Sequence, residues 1–569
     1  MNKKLLSILM CLIMLVSPML ASCGNNTNPA DTSETGDSVS TTEKTDRTPM
    51  TLSLWLPTDK STTEEAVKLV ENEINKLTQI KYNTAIELHA VDRDEYQAVI
   101  DKKLSDIDDV KNNTAAASES ERLKELQNAI NGILPGEEVE TEAVSGEETA
   151  ETEINEYGQS VDVYPAVADD QLDIFLVKGY DKYKEYSDTG LVEALDEQLN
   201  ANAKKLKSYV YPTFLEMANI NGIYGIPNNH ALGEYQLLLV NKELAEQYDY
   251  NADELNTLLG CKDFIKDIGS QNIAGVTPLL GECEAANMYY FSSDGKWSVI
   301  ANHIVDKDLD NVYYETFQIA PRVLFDIEEY GKTYTMMREL KEAGYVGDGK
   351  IDNGEKFAVG VIKGDGSLID EYSDDYYVYT HAIPVADYDD IFESVFSVST
   401  HTKDVGRSTE IITYLNTDQK IRTILQYGVE GVHWESDTTG DEDVIHLLNH
   451  DYSMDIVDTG NVFLTYPGDG IPMSYWDNLK QQNLDSAANR YAGFEYLTED
   501  NKAYMDRVAD VSADIHSRLE SASADQLPAT IRSISAELFE NDDINSLLSG
   551  GAGEDITDTL MILFENHIK

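Results

Sequence analysis

Trp55, Thr58, Tyr180, Asn229, Tyr235, Trp434, Tyr475 and Trp476 fall where apolar runs stop and the chain leaves a strand or opens a helix. Together they offer recognition chemistry rather than bond breaking. Aromatic faces suit the apolar C–H faces of a sugar-like ring, and amides and hydroxyls suit its polar fringe. Ordinary packing competes as the explanation for each, because the chain holds 33 tyrosines and four tryptophans. His433, beside Trp434, reads as a loop histidine. The chain has no zinc-protease histidine pair, no Gly-x-Ser-x-Gly elbow and no kinase-type set. Lys363-Gly364-Asp365-Gly366 lacks the Gly-Lys-Ser/Thr end of a phosphate loop and reads as a turn. A glycoside hydrolase needs two carboxylates ~5–10 Å apart. With 104 acidic residues such pairs arise by chance, so sequence spacing decides nothing. The reading is a binding protein, with no catalytic residue, cofactor or metal.

The elements that position these residues alternate between strand and helix. Thr51–Leu56 alternates as a strand and Pro57 ends it. Thr62 with Glu65 spells a capping box, followed by Val67, Val70, Ile74 and Leu77 at helical spacing. Ala85–Val91 returns as a strand and Asp94–Leu104 as a helix. That β-α-β-α order predicts an α/β fold, with ligands beyond the carboxyl ends of the strands. Leu172–Val177 is an apolar strand of the kind buried on both faces, and Gln236–Val240 is another. Gly222–Asn229 between them, with Pro227 inside, reads as a strand exit or crossover. Further strands are expected at Ala274–Leu279, Gly295–Ile300, Phe357–Ile362, Tyr376–Ile383, Ile391–Val398 and Val462–Leu464. Helices are expected at Leu191–Leu199, Leu206–Phe214, Tyr334–Ala343 and Ile421–Gln426, the last capped by Thr417. Another is capped by Ser474, and the chain is helical from Asn501 to its end, where Leu560, Ile562, Leu563 and Phe564 form a docking stripe.

The amino terminus sets the compartment. Lys3 and Lys4, the apolar run Leu5–Val16 and the exit Leu20-Ala21-Ser22-Cys23 form an export signal too short for the ~20 residues of a membrane span. Its ending resembles a bacterial lipobox, which implies lipid on Cys23. Asn25–Met50 is polar and without periodicity, a flexible tether. Glu119–Ile133 has a helical stripe, and Glu137–Glu156 is an acidic low-complexity run that reads as a disordered surface insertion without the spacing of a calcium loop. The formal charge of −61 opposes binding to nucleic acid or anionic lipid. Cys261 and Cys283 remain in the body, either bridged or as two buried thiols.

Three features together resemble the extracellular solute-binding proteins of the family 1 type, receptors of ATP-driven importers. They are the lipobox, the passage Asp173-Ile174-Phe175 through Tyr224-Gly225-Ile226-Pro227 to Leu239-Val240-Asn241-Lys242, and the return Phe396–Ser399 leading to Tyr427-Gly428-Val429-Glu430-Gly431-Val432-His433-Trp434. The resemblance implies a two-lobed, type II periplasmic-binding-protein-like fold, each lobe a mostly parallel sheet flanked by helices, with crossover strands between them. It divides the chain into signal peptide (1–22), lipidated tether (23–50), lobe one (51–226, with the insertion at 105–170), lobe two (227–395), a return to lobe one (396–490) and a helical tail on lobe two (491–569). It further implies a monomer held outside the cell membrane by lipid. That monomer would close on a small polar solute, a carbohydrate by family weight, and pass it to permease subunits served by a separate ATPase chain. The alternatives are a surface carbohydrate-active enzyme and a sensor or adhesion lipoprotein that does not transport.

Overall fold

The computed structural model describes residues 47–107, 160–201, 203–281, 328–347, 354–440, 442–489 and 498–542, with isolated positions 152–154, 290–291, 300–301, 303–304, 322–323, 351 and 492. The export signal, Cys23, most of the acidic run, the 119–133 stripe, Cys283 and the carboxyl-terminal stripe lie outside these residues.

The first sheet grows from the alternating run. Strand β1 (Met50–Thr58) pairs in parallel with β2 (Thr84–Asp92) along its whole length, and with β3 (Ile174–Val177) on its other side. Helix α1 (Glu64–Tyr82) connects β1 to β2; Thr63 caps it, its hydroxyl accepting from the Ala66 amide at 3.2 Å. Thr62, the expected cap, instead accepts from Thr58 and donates to the Ser453 carbonyl. Asn75 on α1 holds the β2 edge by accepting from the Ile86 amide and donating to its carbonyl. A second helix, α2 (93–107), follows β2. The sheet is completed by β4 (Ile226–Pro227) and by a late strand, giving the order β2-β1-β3-late strand-β4. Leu52, Leu54, Leu56, Val70, Ile74, Ile174, Phe175 and Phe396 are buried in the core of this lobe.

The second sheet has its own core. Strand β5 (Tyr235–Asn241) is its antiparallel centre, flanked by β7 (Lys356–Gly364) and β8 (Tyr376–Ala382), and β6 (Val276–Gly281) pairs in parallel with β7. Leu238 and Val240 face one apolar cluster with Phe264, Met336 and Leu340, while Tyr235, Leu237 and Leu239 face another with Leu280 and Phe357. Burial on both faces explains the unbroken apolar run. Helices α4 (Lys262–Gln271) and α5 (Glu328–Glu342) contribute to the first of these clusters. The chain then returns to the first sheet as β9 (Val395–Val398), antiparallel to both β3 and β4. The protein is therefore a two-lobed α/β structure, and antiparallel pairing accompanies the strand that crosses back. Helix α3 (Tyr180–Asp188) follows β3, while α6 (Val405–Leu415) and α7 (Gln419–Tyr427) cover the first sheet after β9. The hairpin β10 (Trp434–Asp437) and β11 (Val444–Leu447), helix α8 (Trp476–Asp485), and helices α9 (Lys502–Ser521) and α10 (Leu527–Glu540) follow among the described residues.

Several local expectations give way to competing hydrogen bonds. Val462–Leu464 is a 3-10 turn, because the Asn461 side chain accepts from the Phe463 amide. The strand expected from Ile391 begins only at Val395; 388–391 is helical, held by the Asp387–Asp390 capping box. Asp418 rather than Thr417 caps α7, and Ser474 donates to Glu442 instead of capping α8. Within the presumed insertion, Thr152–Ile154 pairs with Ser160–Asp162 as a hairpin. Gly428 ends α7 at φ 80°, and a Cβ there would meet His433 Nδ1 at 2.4 Å, so glycine is required. Cys261 is a buried thiol donating to the Leu255 carbonyl, and burial pushes its pKa up to about 12.

Arg422 of α7 is fully buried, with no carboxylate among its hydrogen-bond partners in the described residues. Its fork donates to the Asn461 carbonyl at 3.1 Å, Thr459 Oγ1 at 2.5 Å, Gln426 Oε1 at 3.3 Å and the Ile456 carbonyl at 2.6 Å. Burial lowers its pKa to about 9. Replacing it with Met strands several buried acceptors, at a cost of about 3 kcal/mol. Denaturant unfolding of Arg422→Met should show a lower midpoint, with no rescue by Arg422→Lys, whose single ammonium cannot fork; an unchanged midpoint refutes the role.

Candidate functional site

The parallel strands of the first sheet share one carboxyl edge. Thr58 ends β1 opposite Asp92 of β2, Val177 ends β3 opposite Val395, and Pro227 ends β4 opposite the same Val395. Chain leaves this edge for the second sheet at 228–234 and comes back to it through 383–394. Space between the lobes is therefore bounded by this edge, where α/β sheets bind ligands.

The side chains here are charged and interlocked. Arg93, just past β2, reaches Asp455 at 2.9 Å and Asp59 at 3.3 Å. Lys178, the first residue after β3, meets the fully buried Asp458 at 2.5 Å. Burial raises the Asp458 pKa and Lys178 opposes that rise. Gly179 turns the chain at φ 85°, its amide donating to the Phe392 carbonyl at 2.7 Å. Tyr180 then stacks on Tyr388 with centroids 4.2 Å apart. On the outgoing crossover, His230 Nδ1 lies 3.2 Å from the Asn228 carbonyl and Nε2 lies 3.1 Å from Glu393 of the returning one. Desolvation, then Lys178, lowers the His230 pKa to about 4 against the pull of Asp455; burial raises that of Glu393. The close carboxylate would favour an imidazolium, but His230 is only 8% exposed and desolvation of the ring prevails.

Helix α8 braces the outgoing crossover. The Gln482 amide donates to the Leu232 carbonyl at 3.1 Å and the Gly233 carbonyl at 2.7 Å, while its oxygen accepts from Gly366 of the second lobe at 2.7 Å. Asn483 accepts from the Leu232 amide at 2.8 Å and donates to the His230 carbonyl at 2.6 Å. Gly233 sits at φ +60°, with a would-be Cβ 2.5 Å from the Val385 carbonyl, so the two crossovers touch there.

The residues singled out from sequence are distributed around this frame. Thr58 is buried and donates to the Ser453 carbonyl at 2.9 Å. Asn229 spends its amide on the backbone of Tyr209 and Tyr211. Tyr235 donates to Asp485 of α8 at 2.7 Å. Trp476 donates to the Thr465 carbonyl at 2.7 Å and packs edge-on against Phe463, with the exposed Tyr475 ring 5.4 Å away. Trp55 stacks on His89 at 3.9 Å beside a cavity of about 310 Å³ lined by α1, and its indole N–H is buried with no hydrogen-bond partner among the described residues. Trp434 donates to the Gly428 carbonyl at 3.1 Å and lines a different cavity. The structure thus gathers Thr58 and Tyr180 along the edge, and Asn229 and Tyr235 along the outgoing crossover. It keeps Trp55 and Trp434 apart. Sequence reasoning passed over Arg93, Lys178, His230, Glu393, Asp455, Asp458, Gln482 and Asn483. The only sequence signals were the position of Lys178 directly after an apolar strand and of His230 directly after the crossover proline.

No protein-family model matches this sequence. A curated protein of Streptococcus pneumoniae serotype 4 named carbohydrate ABC transporter substrate-binding protein is 21% identical over 421 residues, which covers 68% of this chain and 78% of that protein. The crystal structure of the N-glycan transport solute binding protein NgtS from Streptococcus pneumoniae matches with a TM-score of 0.50 at 14% identity, over 91% of this chain and 99% of that one. An extracellular solute-binding protein from Bifidobacterium longum subsp. infantis matches at 12% identity with a TM-score of 0.40, over 92% and 99% of the two chains. The likeness to NgtS shows the fold, that of a type II periplasmic solute-binding protein.

The depressed His230 pKa has a definite sign. The unfolded chain takes up this proton near pH 6.5 and the folded chain only near pH 4. The contribution is therefore complete above about pH 6.5 and is lost as pH falls toward 4, by about 3 kcal/mol in all. Glu393 acts in the opposite direction, holding its proton in the fold. Thermal unfolding between pH 4 and 7 should lose Tm on acidification, and His230→Gln should flatten that limb; parallel curves refute the assignment.

Proposed function

We propose that this protein is the extracellular solute receptor of an ATP-driven importer, capturing a carbohydrate or oligosaccharide between its lobes. The observation that carries the reading is the shared edge: both described crossovers between two separately cored lobes meet it, and charged and aromatic side chains gather there. The name of the curated relative supports a carbohydrate as the solute. Ligand touching both lobes shifts the population toward the closed form, since binding favours whichever state it contacts more. Tyr180 and Tyr388 offer ring faces, while Arg93, Asp59, Asp455 and Glu393 offer hydrogen bonds to hydroxyls. Thr58, Asn229 and Tyr235 hold the frame behind them, whereas Trp55 and Trp434 line cavities of their own. Lipid on Cys23 anchors the receptor to the outer face of the membrane, where closed receptor docks on permease subunits whose ATPase is another chain. One acyl chain holds a protein reversibly and two hold it stably. The role is capture rather than cleavage.

Solution scattering tests closure. The protein without its lipid anchor should compact on adding a bound oligosaccharide, and ligand at 100 times its Kd should stabilise the fold by about 2.7 kcal/mol. Arg93→Ala should weaken that binding about tenfold. Compaction with a non-carbohydrate solute and with no oligosaccharide would remove the sugar assignment, and release of shortened products on overnight incubation would favour an enzyme.

A further inference from the structure

A second cavity, of about 670 Å³, lies on the first lobe between α1 and α7. None of its lining residues comes from the second sheet or from the crossovers 228–234 and 383–394. Its apolar wall is Ile424, Val429 and Trp434, the last fixed by its indole bond to Gly428 and packed against Tyr427 and Ile445. Most rim groups are already used: Asp418 caps α7, Thr423 shares a hydrogen bond with Thr465, Glu430 accepts from Ser436, and Glu73 pairs with Lys76. Three rim groups have no protein hydrogen-bond or ion-pair partner among the described residues, the Gln419 amide, the Lys420 ammonium and the Tyr466 hydroxyl. The cavity thus pairs an aromatic and aliphatic wall with donors and acceptors left open.

We propose that this cavity is a second saccharide-binding site, for a neutral di- or trisaccharide segment. An apolar wall suits the C–H face of a pyranose, and a mixed amide, hydroxyl and ammonium rim suits hydroxyls, which both donate and accept. The volume falls within the roughly 300–1,000 Å³ of small-molecule sites. An acidic sugar is disfavoured, because Glu73, Asp418 and Glu430 outnumber Lys420 on the rim. A bare cation is disfavoured because those carboxylates already have partners. The site gives a long glycan a second hold on the first lobe, away from the moving edge.

Calorimetric titration of the protein against neutral, N-acetylated and sialylated oligosaccharides tests this, with Gln419→Ala/Tyr466→Phe for the cavity and Arg93→Ala for the edge. The expected result is two binding events for a neutral oligosaccharide. The double variant should weaken one of them about tenfold at unchanged Tm, and Arg93→Ala should weaken the other. A single event that responds only to Arg93→Ala overturns the cavity site and leaves the edge intact, whereas one that responds only to the double variant supports the cavity and overturns the edge. No response to the double variant with any member of the panel overturns the proposal. Equal affinity for sialylated glycan at the cavity overturns its neutral class.

Discussion

All parallel strands of the first sheet stop at one edge, and the crossovers 228–234 and 383–394 leave and return at that same edge. This constraint does two things at once. It puts the loop residues of β1, β2 and β3 on the side facing the second lobe. It also makes any rotation of that lobe open or close the space above those residues. A sheet whose crossovers left from opposite edges would lack that coupling. The register between Val395 and both Val177 and Pro227 is what fixes it, since a one-residue slip would exchange Phe396 with its neighbours between two packed faces.

Holding loops at such an edge requires polar groups inside the protein, which is costly unless each has a partner. Arg422 meets that demand with backbone and side-chain oxygens rather than with a counter-ion. Its bonds tie down 456–461, the segment that carries Asp458 under Lys178. Asp173 plays the same part deeper in the sheet, where its carboxylate accepts from Ser53, Gln171 and Thr402. The charged residues of the edge therefore stand on a second tier of buried hydrogen bonds, and their positions follow from it.

The sequence made the elements legible wherever hydrophobic period dominated. β1, β2, β5 and β7, with α1 and α2, follow from the pattern of apolar residues, because burial of those side chains is the largest local term, whereas the helices expected at Leu191–Leu199 and Leu206–Phe214 are helical only at Asp196–Asn200, Leu206–Ser208 and Pro212–Met217. Boundaries failed where a polar side chain chose between neighbouring backbone groups. Thr63 rather than Thr62 caps α1 because Thr62 is committed to Ser453, almost four hundred residues away. The site was less legible than the fold. Ring type is a poor guide in a tyrosine-rich chain, and Asn229 and Tyr235 satisfy long-range partners that no local pattern encodes. Lys178 and Asp458 become a pair only after β3 and the 456–459 turn are folded together. Trp55 and Trp434, both singled out from sequence, end in separate cavities for the same reason.

The crossover between the lobes is held differently from the sheets on either side of it. The ladder between β4 and β9 has only two register pairs, and one of its members, Pro227, has no amide to donate. Backbone pairing is therefore thin at the point where the first lobe gives way to the second. Most of the remaining ties are side-chain amides: Asn228 to the Val457 carbonyl, Gln482 to Leu232, Gly233 and Gly366, and Asn483 to His230 and Leu232. A ladder bond joins two rigid backbones and resists twist, whereas an amide at the end of a rotatable side chain can follow its partner through a small rotation. Ladder bonds are thus concentrated within the two sheets and side-chain bonds at 228–234. Gln482 holds both that segment and the β7 end of the second lobe, so α8 is tied to both sides of the crossover.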